Sequence, residues 1–355
     1  MRLLPRVVLL TVATGVALFG RPAASEPIRG VGAALPKAVY AEWARSFEAK
    51  THVAVSYSAV SPTAALGELA TGHANFGASE VPLLVEQLAA KGLVQFPTVI
   101  GGVVPVANVP GVAPGTLKLT GLLLADIFLG KVKTWDDPAI KALNGELDLP
   151  SRSIRVVHPT EASGSTYIFT TYLSSVSPEW KRRVGRGFTV VWPVGEERAA
   201  TVELGSFVRK TFGAAGFVDF ATAADEGLPR TKMRNREGEF VTPNPVSFQA
   251  AAANAPWESA AAFGLLLVDV PGRGCWPLTA PVFALVPHAP KDSNQALEVL
   301  RFFDWAFKNG ARIASEAGYV ALPPPVTALV EKAWMRQVKD ARGTSIWTGP
   351  GPGGN

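Results

Sequence analysis

His158, Glu161 and Ser163 lie within one short stretch and bring together a base, an acid and a hydroxyl. A hydrolase needs those side-chain types, but their setting points elsewhere. Ser163 opens a Ser-Gly-Ser turn at the start of a helical segment. There its hydroxyl serves better as a helix cap and an anion donor. No Gly-x-Ser-x-Gly elbow, Walker loop or dinucleotide-type glycine pattern stands in the context it requires. His52, His73, His158 and His288 are scattered, and Cys275 is the single cysteine. Neither a metal site, a disulfide nor a CxxC redox pair is therefore expected. The chain reads as non-catalytic, with no cofactor.

The elements around Ser163 alternate between strand-like and helix-like, which argues for α/β layers. Residues 52–57 alternate as a strand. Residues 61–71 read as a helix, with Ser61 as N-cap, Pro62 in the first turn and Gly72 after the end. Residues 97–109 form a long apolar strand interrupted by Gly101-Gly102. Residues 154–157 and 277–286 are further strands. Helices are expected at 119–129, 163–174, 296–307 and 324–338. The segment 341–355, rich in glycine and proline, is expected to be a disordered tail.

With 355 residues, 48% hydrophobic and 18% charged, the chain can build two globular lobes with ordinary cores. Its formal charge is +5, but Arg2, Arg6 and Arg21 fall in the first 25 residues, where there is no acid. The small remaining excess gives no warrant for nucleic-acid binding. That opening segment reads as a cleaved secretory signal. Arg2 and Arg6 precede an apolar run from Val7 to Phe19, too short for a membrane span, and Pro22-Ala23-Ala24-Ser25 supplies small residues before a cut at Glu26. The expected destination is the periplasm.

Several runs together are highly specific. They are Gly32-Ala33-Ala34-Leu35-Pro36 with Tyr40 and Trp43, Phe76-Gly77-Ala78-Ser79 before Glu80, and Phe96-Pro97-Thr98 through Gly101-Gly102. Ser163-Gly164-Ser165, Trp192-Pro193, Gly216-Phe217-Val218 and Phe302-Phe303-Asp304-Trp305 continue the set. In this order, over residues 28–338, the chain resembles the periplasmic phosphate-binding proteins of ABC importers. The resemblance implies a two-lobed periplasmic-binding-protein fold (type II), with mixed sheets flanked by helices and a hinge of two chain crossings. It places 26–102 plus 276–340 in lobe I and 103–275 in lobe II, with crossings near Gly101-Gly102 and Trp276-Pro277. It implies capture of inorganic phosphate or a related oxyanion between the lobes, by a monomer, and delivery to the membrane subunits of an ABC permease.

Carried over position by position, the resemblance assigns ligand contacts to Ala34, Leu35, Thr63, Glu80, Ser163, Gly164 and Ser165, with Glu161 as a neighbouring acid. A buried oxyanion needs many convergent donors. Here several are altered. Ala34 lacks the family's hydroxyl, Pro62 stands where a serine opens the next helix, Glu80 replaces an aspartate, and Pro159 replaces the binding arginine. His158 and Arg198 are the candidate substitutes for that cation. The departures keep alive a ligand other than phosphate, such as another oxyanion or a phosphonate, or a sensor or scaffold role without transport.

Overall fold

The computed structural model describes residues 26–199 and 201–349. The expected signal segment and the last six residues of the tail lie outside that range.

Among the described residues there are twelve strands: β1 (Ile28–Gly32), β2 (Val55–Ala59), β3 (Phe76–Ser79), β4 (Leu93–Ala107), β5 (Lys118–Leu119), β6 (Arg155–Pro159), β7 (Glu196–Arg198), β8 (Ala214–Asp219), β9 (Lys232–Arg234), β10 (Phe240–Val241), β11 (Thr279–Pro287) and β12 (Val320–Ala321). One sheet runs β2-β1-β3-β11-β4-β8-β6-β7, with β12 also on β4, and a small sheet runs β10-β9-β5. Helices flank the large sheet, giving the mixed α/β architecture that the sequence implies.

β4 joins the two halves. Every residue of this strand after Leu93 is buried, which suits a continuous apolar run covered on both faces. Its neighbour changes midway. Leu93 through Gly102 pair with β11, whereas Val103 through Ala107 pair with β8. The return of the chain lies alongside this switch. Trp276 donates its indole N–H to the Val103 carbonyl at 2.9 Å, and Thr279 is the register partner of Gly102.

The directions of the strands decide where a site can form. β3 is antiparallel to β11 and β11 to β4, so β3 runs with β4 and ends at Ser79, abreast of Phe283. β8 runs against β4 and ends at Asp219, abreast of Val103. The carboxyl ends of β1 and β3 therefore point towards the carboxyl ends of β8 and β6. They meet over Gly101-Gly102. Loops at the carboxyl ends of strands are the usual ligand-binding position of α/β sheets.

The glycine pair is required by close approach. A Cβ on Gly101 would lie 3.1 Å from Leu35 Cδ2, and one on Gly102 would lie 2.5 Å from the Phe248 ring. Phe248 belongs to the helix Pro245–Ala253, whose start is fixed by reciprocal Asn244–Ser247 bonds. Gly102→Ala should thus destabilise the fold by about 1–3 kcal/mol through overpacking. A urea midpoint equal to that of the parent would contradict this.

Each half has its own aromatic cluster. Phe76, Phe96 and Phe302 surround Phe303 on one side, while Phe169 stacks on Phe217 at 4.0 Å on the other, next to Phe128 and Trp192.

Two expectations need correction. The strand expected at 52–57 is Val55–Ala59, because His52 takes a left-handed conformation (φ 61°) and closes the helix Lys37–Thr51. The segment after Ala341 is not simply a disordered tail. Ile346 donates to the Val338 carbonyl at 3.1 Å, and Trp347, 1% exposed, packs edge-on against Trp334 at 5.2 Å. Burial of one large indole outweighs the loop-like composition around it.

Candidate functional site

At the end of β1 the chain turns through Ala33, Ala34 and Leu35 into the helix Lys37–Thr51. Two tyrosines hold the carbonyls of this turn. The Tyr57 hydroxyl donates to the Ala33 carbonyl at 2.6 Å, and the Tyr319 hydroxyl donates to the Leu35 carbonyl. With its carbonyls engaged, the turn presents an amide: Leu35 N–H donates to Glu80 Oε1 at 3.0 Å. Glu80 follows β3 directly and is only 5% exposed.

The other carboxylate oxygen, Glu80 Oε2, is buried without a hydrogen-bond partner. Burial pushes this carboxyl up to about 7. The Leu35 amide opposes that shift, and the negative charge of Asp219 adds to it. Asp219 ends β8 and caps the helix Phe220–Asp225, accepting from the Thr222 amide at 2.8 Å.

From the other half comes the helix Gly164–Val176. Ser163 caps it, its Oγ accepting from the Thr166 amide at 3.1 Å. Glycine and small hydroxyl residues at the opening allow a close approach to the backbone. A Cβ on Gly164 would lie 1.6 Å from Glu80 Oε2 and 2.6 Å from Glu80 Cβ, so the acid lies across the first turn of this helix. Among the described residues the amides of Gly164 and Ser165 have no hydrogen-bond partner, and neither does the Ser165 hydroxyl. These are the orphan donors at the positive end of a thirteen-residue helix.

Of the residues expected at the ligand, Leu35, Glu80, Ser163, Gly164 and Ser165 are gathered at this junction. Ala34 is exposed in the adjoining turn, and Thr63 is exposed in the first turn of the helix Pro62–Thr71. That helix is capped by Ser61, which accepts from the Ala64 amide at 3.3 Å. Glu161 is exposed in the loop before the Gly164 helix.

Neither candidate cation is free to face the ligand. His158 is buried and stacks on Trp192 at 4.9 Å, and desolvation lowers its pKa, favouring the neutral ring. Arg198 is the register partner of Pro159, yet its guanidinium lies 4.0 Å from the Phe207 ring centroid and pairs with Glu196. Among the described residues no lysine or arginine forms an ion pair with Glu80 or Asp219.

Sequence reasoning missed Tyr57, Tyr319 and Asp219. Only Asp219 carried a local signal, as an acid standing between the apolar run Gly216-Phe217-Val218 and a helix.

Two halves of a mixed sheet with a small-residue helix start at their junction are the architecture of a binding protein. Residues 19–308 match the PBP superfamily domain, and the chain belongs to that superfamily. Within it, the chain is 41% identical over 329 residues to the phosphate-binding protein PstS of Pasteurella multocida, covering 93% of this chain and 96% of that one. It is 40% identical over 317 residues to the phosphate-binding protein PstS of Haemophilus influenzae, covering 89% and 95%. A human phosphate binding apolipoprotein shares the fold, with a TM-score of 0.67 at 16% identity over 90% of this chain and 98% of that one.

Proposed function

We propose that this chain is an exported receptor that captures inorganic phosphate, or a closely related oxyanion, between its two halves and hands it to the membrane subunits of an ABC permease. The observation that carries this reading is the pair of amides at Gly164 and Ser165, without partners among the described residues, at the helix opening that meets Glu80 and the Leu35 turn. Such amides favour negative charge without a formal cation. The curated relatives, at 41% and 40% identity over most of their length, are named for phosphate binding. The leader-like first 25 residues support export, and we read the chain as a monomer that makes and breaks no covalent bond.

The site differs from a strongly cationic one. Pro159 is buried where an arginine would be expected, and Glu80 and Asp219 are both acids. With no cation offsetting either acid, an oxyanion that carries a proton, and so less charge, is favoured over a fully ionised one. Titration calorimetry on protein refolded without phosphate is the direct test. Measurable heat with phosphate, exceeding that with sulfate, is the expected result. An absence of both heat and thermal shift at millimolar phosphate would remove the phosphate reading. A larger response to arsenate or a phosphonate would reassign the ligand.

A further inference from the structure

We propose that Glu80 is a built-in competitor for the anion seat, its carboxyl group bridging the Leu35 turn of one half and the opening turn of the Gly164 helix of the other. The proposal rests on the receptor reading above and adds what an incoming oxyanion must displace.

Three observations carry it. Glu80 Oε1 already accepts from the Leu35 amide at 3.0 Å, so a donor expected for the ligand is occupied by the protein's own acid. Glu80 Oε2 is buried, without a partner, and lies where a Cβ on Gly164 would come within 1.6 Å. No cation on the described residues neutralises the group, so the dipole of the Gly164 helix is the favourable field it meets. The groups facing it are the hydroxyls of Tyr57 from β2 and Tyr319 from the loop before β12, and the carboxylate of Asp219 at the end of β8. All are neutral or negative. Charge on Glu80 therefore opposes an incoming anion, and protonation relieves that opposition. The extra methylene of glutamate over aspartate gives it the reach to lie across Gly164.

Phosphate affinity of the full mature chain, of Glu80→Asp and of the isosteric Glu80→Gln provides the test, by calorimetry from about pH 6 to about pH 8. Drawing the carboxylate back should free a donor to a charged ligand, so Glu80→Asp is expected to bind about tenfold tighter or more. The parent is expected to bind more weakly as pH rises, and Glu80→Gln to lose most of that slope. Tighter binding by Glu80→Asp supports the competitor role even if the parent shows no measurable binding. If the parent binds and neither variant gains affinity nor loses the slope, the competitor role is overturned while the receptor reading stands. Should none of the three bind phosphate, both fall. Thermal unfolding of each variant checks that it is folded.

Discussion

Gly164→Ala is expected to weaken phosphate binding by about a hundredfold or more while leaving the helices and strands of each half formed. The added methyl would stand 2.6 Å from Glu80 Cβ, an atom fixed to the backbone that no rotamer change can move aside. Either the two halves stay apart or the chain shifts at the mouth of the site. Both outcomes pull the Gly164 and Ser165 amides away from the Leu35 turn. Within its own half the substitution has little to disturb, since alanine favours helix over glycine by about 1 kcal/mol. Calorimetry with phosphate, paired with far-ultraviolet dichroism and a melting curve, separates loss of binding from loss of fold. Parent-like affinity in the alanine variant would mean that the Glu80–Gly164 approach is not part of the bound state.

The second large effect is on stability. Glu80 titrates near 7 in the folded protein against an ordinary value of 4.5, so the native state holds this proton over a range where the unfolded chain has lost it. Its contribution is fully present below the ordinary value, declines as pH rises and is gone above the folded value. A shift of this size amounts to roughly 3 kcal/mol. Ligand-free protein should therefore lose about that much stability between about pH 4.5 and about pH 7 from this group alone. Glu80→Gln should remove the decline and be the more stable protein in mildly alkaline buffer. Urea midpoints measured across that range for both proteins decide the matter. Parallel curves would show that Glu80 is not the group responsible.

How far the sequence speaks depends on the range of the interaction. The Ser163 cap and the Ser61 cap were legible because a serine and the amide it serves are neighbours along the chain. The glycines of β4 were visible as an interruption in an apolar strand, and only the resemblance suggested a chain crossing there. Leu35 and Phe248 proved to be what packs there. The clamp on the Leu35 turn was not legible, since Tyr319 lies 284 positions from the carbonyl it holds. Arg198 shows the limit from the other side. Strand register places it beside Pro159, but an aromatic face and an acid decide where its guanidinium goes. Trp347 illustrates the same point, because composition describes a segment and cannot reveal the surface waiting to receive one of its side chains.

β4 also has a thermodynamic consequence. Leu93 through Gly102, apart from Thr98 at a register shift, ladder with β11 and the last five residues ladder with β8, so one unbroken strand belongs to the sheet of each half. Melting one half would strip backbone partners from a strand the other half still needs. Heat denaturation should accordingly be a single cooperative event shared by both halves, and a fragment cut at the glycine pair should fail to hold either half together.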